Sequence, residues 1–306
     1  MKFKKIIAVI ATVAIVAGMA VGCGKTTDSA NDSVDAESTA QAEDFDTSSD
    51  ITIVSREDGS GTRGAFIELF GIEEKDADGN KVDNTTEDAQ ITNSTSVMLT
   101  TVAGDDYAIG YVSLGALNDS VKALKIDGVE ATAENIKSGD YKVSRPFNIA
   151  TKKDLDNEVA EDFISFIMST EGQAVVEENG YIAVGNVSAY SGTAPSGKAV
   201  VGGSSSVSPV MEKLIEAYKK VNANADIELQ TTDSTTGMTK TIEGDYDIGM
   251  ASRELKDSEK ENLTGITICQ DGIAVIVNTN NAVSNLTIEQ IRQIFVGEVT
   301  DWESLN

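Results

Sequence analysis

The chain has 306 residues, a formal net charge of −26 and no histidine. The length suits two domains of ordinary size. The lack of histidine excludes Ser-His-Asp and Cys-His catalytic arrangements and removes the commonest side-chain ligand of transition metals. The acidic balance argues against a nucleic-acid-binding protein, because phosphate backbones attract basic surfaces.

The N-terminus has the pattern of an export signal. Basic residues precede an apolar run from Ile6 to Val21, in the order of a signal peptide. The run ends in small residues directly before Cys23, as in bacterial lipoprotein signals. We predict that residues 1–22 are removed and that Cys23 is lipidated and anchored at the extracytoplasmic face of the cell membrane. A secreted protein with a stray cysteine is the alternative.

The next segment has the composition of a tether. Residues 24–50 are rich in Ser, Thr, Ala, Asp and Glu and hold almost no large apolar side chain. Such a segment cannot bury enough surface to order itself. The sequence therefore predicts a disordered acidic tether over 23–50.

A glycine-rich turn follows the first predicted strand, Ile51–Val54, and precedes an apolar helical segment that ends near Gly71. The turn reads Ser55-Arg56-Glu57-Asp58-Gly59-Ser60-Gly61-Thr62. Free N–H groups at a helix start bind anions where small residues allow a close approach. Hydroxyl groups and Arg56 add further donors. The turn predicts an oxyanion-binding loop, with plain helix capping as the alternative; its spacing does not fit a P-loop.

The same order of strand, small polar turn and helix occurs again in two places. The strand 199–201 precedes a Gly-Ser turn and a helix from Val210 to Val221, with Pro209 in its first turn. The strand 227–230 precedes the turn 231–237 and a short helix. Alternating strands and helices favour an α/β fold with parallel sheets, whose ligands bind beyond the carboxyl ends of the strands. The repetition indicates that these turns converge on one anion.

Two further segments complete the pattern. Residues 273–278 form a continuous apolar run that predicts a central strand, and Cys269 just before it is expected to be a buried strand residue without a disulfide partner. Residues 186–198 are rich in Gly, Ser, Ala and Thr and predict a linker.

These pieces together resemble the phosphate-binding lipoproteins of bacterial ABC phosphate importers. The matching segments cover nearly all of residues 51–306: Arg56-Glu57-Asp58-Gly59-Ser60-Gly61-Thr62, Ile109-Gly110-Tyr111-Val112, Gly172-Gln173, Gly180-Tyr181, Gly203-Ser204-Ser205-Ser206-Val207-Ser208-Pro209, Asp247-Ile248-Gly249-Met250-Ala251-Ser252-Arg253 and Asp271-Gly272-Ile273-Ala274-Val275-Ile276-Val277-Asn278. The resemblance implies an α/β, two-lobed fold of the periplasmic-binding-protein type (type II), with parallel-rich sheets and a hinge, and a monomer without a cofactor.

The order of the segments departs from that family. There the Gly-Ser-Ser-Ser segment comes first, whereas here the two halves of the chain are exchanged. The resemblance therefore implies a circular permutation in which 186–198 joins the family's termini. It predicts one lobe from 51–145 plus 278–306 and another from 146–277.

The resemblance also implies a ligand set. The residues carried over by motif are Ser205, Ser206, Ser234, Arg56, Ser60, Gly61 and Thr62, with Ser204 as an alternative register. Asp58 matches the acid that orients the arginine. Arg253 occupies a position where some members have an aspartate that accepts the proton of hydrogen phosphate. A ligand contact and a structural ion pair, for example with Glu254, are both open for Arg253.

The function implied by the resemblance is capture of inorganic phosphate between two lobes and delivery to an ABC permease. A binding protein for sulfate or another oxyanion and a phosphate sensor are alternatives. An extracellular hydrolase with Ser60 or Ser234 as nucleophile is a further alternative, but the chain has no histidine to serve as its base.

Overall fold

The computed structural model describes residues 45–305, which belong to one compact unit, Ala42–Asn306. The predicted signal peptide, Cys23 and most of the predicted tether lie outside the described residues. Within 45–305, no helix has the length and apolar character needed to cross a membrane. The ring of Phe45 packs 5.3 Å from the ring of Tyr107 and 5.9 Å from that of Trp302. The packed part of the chain thus begins before Ile51, within the last residues assigned to the tether.

The described part is a mixed α/β structure. Its strands are β1 (Thr52–Arg56), β2 (Glu73–Lys75), β3 (Lys81–Asp83), β4 (Gln90–Thr92), β5 (Ala108–Ser113), β6 (Val121–Ala123), β7 (Lys125–Ile126), β8 (Ser144–Lys152), β9 (Ile182–Ala183), β10 (Gly197–Ser204), β11 (Ala225–Thr232), β12 (Ile248–Ala251), β13 (Leu263–Asn278) and β14 (Asn285–Leu286). Its helices are α1 (Gly61–Leu69), α2 (Thr95–Ala103), α3 (Ala133–Ser138), α4 (Glu158–Ile167), α5 (Thr170–Glu178), α6 (Ser208–Val221), α7 (Ser234–Glu243), α8 (Asp257–Lys260) and α9 (Ile288–Phe295).

One large sheet runs through the fold in the order β11-β10-β12-β8-β13-β5-β1-β4. At one end β10 is parallel to β11 and β12, and at the other end β1 is parallel to β4 and β5. Antiparallel β8 and β13 join these two groups. We call the elements around β10, β11 and β12 the β10 side and those around β1, β4 and β5 the β1 side.

The predicted strand, turn and helix units are present on both sides, and local sequence explains where their helices begin. The Ser60 side chain caps α1 by accepting from the Arg63 N–H, and Pro209 occupies the first turn of α6. Asp233 caps α7 by accepting from the Thr236 N–H. Because of this cap, α7 begins at Ser234, inside the segment predicted to be a turn.

Each side has its own hydrophobic core. Val143, directly before β8, packs in the β1-side core, whereas Phe147 on β8 packs in the β10-side core. On β13, Ile273 packs in the β1-side core and Cys269 in the β10-side core. Both strands therefore pass from one core to the other near the register pair formed by Arg145 and Asp271. The lobe boundaries stay a prediction, and this packing favours a second crossing near Asp271 rather than after Val277. Cys269 is buried in β13, as predicted.

The predicted linker is fastened to the β10 side by one buried carboxylate. Asp162 on α4 accepts hydrogen bonds from the hydroxyls of Tyr190 and Tyr218, both at 2.6 Å, and from the Thr193 N–H at 3.0 Å. Burial and the Asp162 carboxylate raise the pKa of Tyr218 to about 12, so its hydroxyl stays a donor at neutral pH. The last residues of the predicted linker, from Gly197, already belong to β10.

Candidate anion-binding site

A cluster of hydroxyl groups lies where the two sides of the sheet meet. We call it the hydroxyl cluster, and all of its members are buried: Thr62, Thr95, Ser204, Ser205, Ser206, Ser234 and Ser252. Thr62 and Thr95 stand at the starts of α1 and α2 on the β1 side. On the β10 side, Ser204 ends β10, Ser205 and Ser206 follow it, Ser252 follows β12, and Ser234 opens α7. Loops at the carboxyl ends of parallel strands thus converge, as the sequence predicts.

Short contacts join the cluster across the two sides. Thr62 Oγ1 lies 2.7 Å from Ser206 Oγ, and Thr95 Oγ1 lies 3.2 Å from the same atom. Within the β10 side, Ser204 Oγ donates to Ser252 Oγ at 2.9 Å, and Ser234 Oγ lies 3.4 Å from Ser252 Oγ. Thr62 Oγ1 also lies 3.5 Å from Ser252 Oγ, so the two groups of hydroxyls form one connected polar network.

Arg56 supplies positive charge to this network. Its side chain is buried, and Nη2 donates to Ser205 Oγ at 3.1 Å. The other edge of the guanidinium makes two bonds to the Glu57 carboxylate, Nε to Oε2 at 2.8 Å and Nη2 to Oε1 at 2.7 Å. A two-point contact of this kind fixes the plane of an arginine.

The predicted role of Asp58 is therefore wrong in this structure. The side chain of Asp58 is 98% exposed and pairs with Arg63 at 3.1 Å, whereas Glu57 holds Arg56. Asp58 lies in the turn that follows β1, and its exposed carboxylate reaches Arg63 instead of the buried guanidinium.

Backbone and arginine donors give several cluster hydroxyls a fixed direction. Ser205 Oγ accepts from Arg56 and from the Thr95 N–H at 3.3 Å, and Ser234 Oγ accepts from the Ser252 N–H at 3.1 Å. A hydroxyl has one proton and two lone pairs. When N–H groups occupy its lone pairs, its proton remains for another acceptor. The cluster is thus biased towards donating, which suits an anion rich in lone pairs.

Ser60 and Gly61 take part in different ways. Ser60 is occupied as the helix cap, so its hydroxyl supports the loop. Gly61 makes room, because a Cβ at this position would lie 2.5 Å from Ser234 Oγ and 2.8 Å from Ser252 Oγ. The absence of a side chain at Gly61 lets the β1 side approach the hydroxyls of the β10 side.

Arg253 follows the cluster member Ser252, and its guanidinium is bound by an acidic side chain outside the cluster. Its Nη1 and Nη2 donate to the two oxygens of Glu259 at 2.9 and 2.8 Å, and Nη1 also donates to the Glu254 carbonyl oxygen at 2.9 Å. Of the two roles left open by the sequence, the structure shows the ion pair, and the partner carboxylate is Glu259. No ligand contact is assigned to Arg253.

The Glu259 pair predicts a pH dependence of stability. Burial alone would raise the pKa of Glu259, but hydrogen bonds from Arg253 and from the Lys256 N–H lower it. A carboxyl whose pKa is lower in the folded chain stabilises the fold above its unfolded pKa of about 4.3, and this contribution is lost as pH falls through the folded pKa. We expect Glu259→Gln to lower the unfolding temperature at pH 7 and to have a smaller effect near pH 3. Thermal unfolding of both chains at the two pH values checks this, and an equal loss at both would contradict it.

The sequence did not identify four residues that the structure brings to the site. Ser252 and Thr95 are members of the cluster, and Arg145 and Asp271 form a buried ion pair beside it. Thr95 follows Ser94, which caps α2 after β4. The order of strand, polar turn and helix is therefore repeated here, and this sequence pattern could have pointed to Thr95. Arg145 and Asp271 give no local signal because their pairing depends on the register of distant strands.

A buried set of hydroxyl and guanidinium donors between two sides of an α/β fold defines a candidate oxyanion-binding protein. Comparisons with known proteins agree with this class. A family model described as a PBP superfamily domain matches residues 3–171 and 188–306.

Individual relatives point to a narrower class, the phosphate-binding proteins. Phosphate-binding protein PstS 2 of Streptococcus agalactiae serotype V is 59% identical over 257 residues, which are 84% of this chain and 88% of that protein. The protein of the same name from Streptococcus pneumoniae serotype 4 is 44% identical over 306 residues, which are 100% of both chains. The crystal structure of a phosphate-binding protein of a phosphate ABC transporter from Streptococcus pneumoniae TIGR4 is 46% identical, with a TM-score of 0.66 over 84% of this chain and 100% of that chain.

The chain therefore belongs to the PBP superfamily and, within it, to the PstS family of phosphate-binding proteins. The predicted family and the predicted α/β periplasmic-binding-protein fold are confirmed. The circular permutation, the lobe boundaries and the ligand residues stay predictions.

Proposed function

We propose that this protein captures inorganic phosphate between the β1 side and the β10 side and delivers it to the membrane subunits of an ABC permease. The observation that carries the proposal is the hydroxyl cluster with Arg56 at the meeting point of both sides. The proposed ligand residues are Arg56, Gly61, Thr62, Ser205, Ser206 and Ser234, supported by Ser60 and Ser204. Two of the relatives described above are named as phosphate-binding proteins.

The donor set is large enough for useful affinity. A hydrogen bond to a charged group contributes about 1.5–3 kcal/mol. Several such bonds reach about −8 kcal/mol, which corresponds to a micromolar Kd. The net charge of −26 does not prevent binding of an anion. Distant surface charges are screened over about 8 Å at physiological salt, whereas buried donors act at contact distance.

We further propose that the chain acts by binding rather than by catalysis. Ser60 is used as a helix cap, and Ser234 is fully buried with its oxygen accepting from a backbone N–H. A serine nucleophile needs a base to take its proton, and the full sequence has no histidine. One relative is named as a phosphate-binding protein and a similar solved structure as the phosphate-binding protein of a phosphate ABC transporter, which supports the same conclusion.

The proposed location is the extracytoplasmic face of the cell membrane, with the lipid anchor at Cys23 at the start of the predicted tether over 23–50. Support comes from the order of basic, apolar and small residues before Cys23. We also propose that the folded part acts as a monomer and that 186–198 joins what are the termini in family members whose folded part begins with the Gly-Ser-Ser-Ser segment.

Calorimetric titration of the full chain, purified in detergent and freed of bound anion, tests the function. We expect one phosphate bound per chain near neutral pH, and sulfate is titrated in the same way for comparison. Equal binding of both anions would favour the general oxyanion-binding alternative. No binding of phosphate would overturn the proposed function. Phosphate uptake by cells lacking the protein distinguishes an importer component from a phosphate sensor.

A further inference from the structure

A second arginine lies at the point where the chain crosses between the two sides. Arg145 on β8 is the register partner of Asp271 on β13, and Nη2 of the arginine is 3.1 Å from Oδ2 of the aspartate. Both side chains are buried, with only 2% and 1% exposed. The β1-side and β10-side cores change over at this same pair.

One nitrogen of Arg145 contacts both sides. Nη1 donates to Thr62 Oγ1 at 2.7 Å and to the Ser252 carbonyl oxygen at 3.1 Å. Thr62 belongs to the β1 side and Ser252 to the β10 side. A single group on the crossing strand thus connects the two walls of the candidate site.

The bond from Arg145 also decides the direction of the Thr62 hydroxyl. An oxygen that accepts from a guanidinium N–H has its proton directed elsewhere, and hydrogen bonds from an ionised donor are the stronger kind. The proton of Thr62 therefore points towards another acceptor, which is Ser206 Oγ, Ser252 Oγ or a bound anion.

Stability alone is a weak reason for burying this pair. The cost of removing two charges from water can exceed the attraction between them, and apolar residues of similar size often replace such pairs without loss of stability. Burial raises the pKa of Asp271, and the charge of Arg145 opposes that rise. A role in holding Thr62 and Ser252 in fixed positions explains the buried pair of Arg145 and Asp271 better than stability does.

We propose that Arg145, oriented by Asp271, is a positioning residue for the anion. It fixes Thr62 as a donor towards the anion. This inference rests on the proposed function and adds a residue that does not itself belong to the ligand set.

Two variants test the role of Arg145 without leaving an unpaired buried charge. Arg145→Lys keeps a cation opposite Asp271, but its single nitrogen cannot also reach both Thr62 and Ser252. The double variant Arg145→Met with Asp271→Asn removes both charges. In each we expect the phosphate Kd from calorimetry to rise about 10- to 100-fold, the effect of losing one charge-assisted hydrogen bond.

A double-mutant cycle separates positioning from a general structural effect. If Arg145 acts through Thr62, then Thr62→Val alone weakens binding, and adding Arg145→Lys weakens it little further, by about twofold or less. Full additivity of the two losses would show that Arg145 acts independently of Thr62 and would overturn the inference.

Asp162→Asn is the matched control, because it also removes a buried carboxylate but lies under the linker on the β10 side. It should lower the unfolding temperature and leave the phosphate Kd within about twofold of the unchanged chain. If the Arg145 variants fold and bind phosphate as the unchanged chain does, the inference fails while the proposed function stands. If the unchanged chain does not bind phosphate, both fail.

Discussion

Arg56→Ala is expected to weaken phosphate binding by roughly a hundredfold or more while the protein stays folded. Arg56 is the buried cation that donates to Ser205 in the hydroxyl cluster. In the proposed complex the Arg56 guanidinium donates two hydrogen bonds to phosphate, each contributing about 1.5–3 kcal/mol. Their loss raises the phosphate Kd by roughly a hundredfold or more. The partner Glu57 keeps 22% of its side chain exposed, so water can solvate it when the arginine is removed. Calorimetry gives the Kd, and thermal unfolding shows whether the variant is folded.

Arg292→Ala is the matched control for Arg56→Ala. Arg292 on α9 also binds acidic side chains, Glu289 and Glu298, but at the surface. Its replacement should leave the phosphate Kd unchanged. An Arg56→Ala protein that binds phosphate as tightly as the Arg292→Ala protein would remove Arg56 from the site.

A single methyl group at Gly61 is expected to weaken phosphate binding at least tenfold. The new Cβ would lie 2.5 Å from Ser234 Oγ and 2.8 Å from Ser252 Oγ, closer than the 3.0 Å that real Cβ atoms keep from other heavy atoms. Both contacted hydroxyls belong to the β10 side, so Gly61→Ala must displace them or hold the two sides apart. Tightly packed structures yield to such an intrusion only at a cost of about 1–3 kcal/mol. A titration of the Gly61→Ala protein with phosphate measures the loss.

The same helix provides the control. Gly64 lies one turn further along α1, and a Cβ there would meet nothing within 4 Å. Gly64→Ala should leave the Kd unchanged and stabilise the fold by about 0.5–1 kcal/mol, because alanine favours a helix more than glycine does. Equal affinity of the Gly61→Ala and Gly64→Ala proteins would show that the close approach at Gly61 is not needed for binding.

Local sequence patterns were enough to predict the elements of the site. Small residues at strand ends indicated the loops of Ser60, Ser205 and Ser234, because helix starts that follow strands require capping and tight turns. The prediction that these loops converge rests on the geometry of parallel sheets, and the structure brings them into one cluster. The exact start of α7 was missed because Asp233 was not identified as its cap.

Side-chain partners were harder to predict. Asp58 and Glu57 are neighbours, and only the backbone direction at the end of β1 decides which of them faces Arg56. Arg253 has several acids nearby in sequence, and its partner is Glu259 on α8 rather than the side chain of Glu254. Choices of this kind depend on a few ångströms of geometry that a residue pattern does not contain.

By itself, the sequence determined the family, the α/β class and the loops that lie together at the candidate site, because these depend on strand and helix patterns and on small residues that can be read from local segments. Only the tertiary structure decided how Arg145 and Asp271 join the two sides. Their contact arises from the register of β8 against β13, strands separated by more than a hundred residues. Such a register is fixed by the packing of both cores at once, so no local stretch of the chain encodes it.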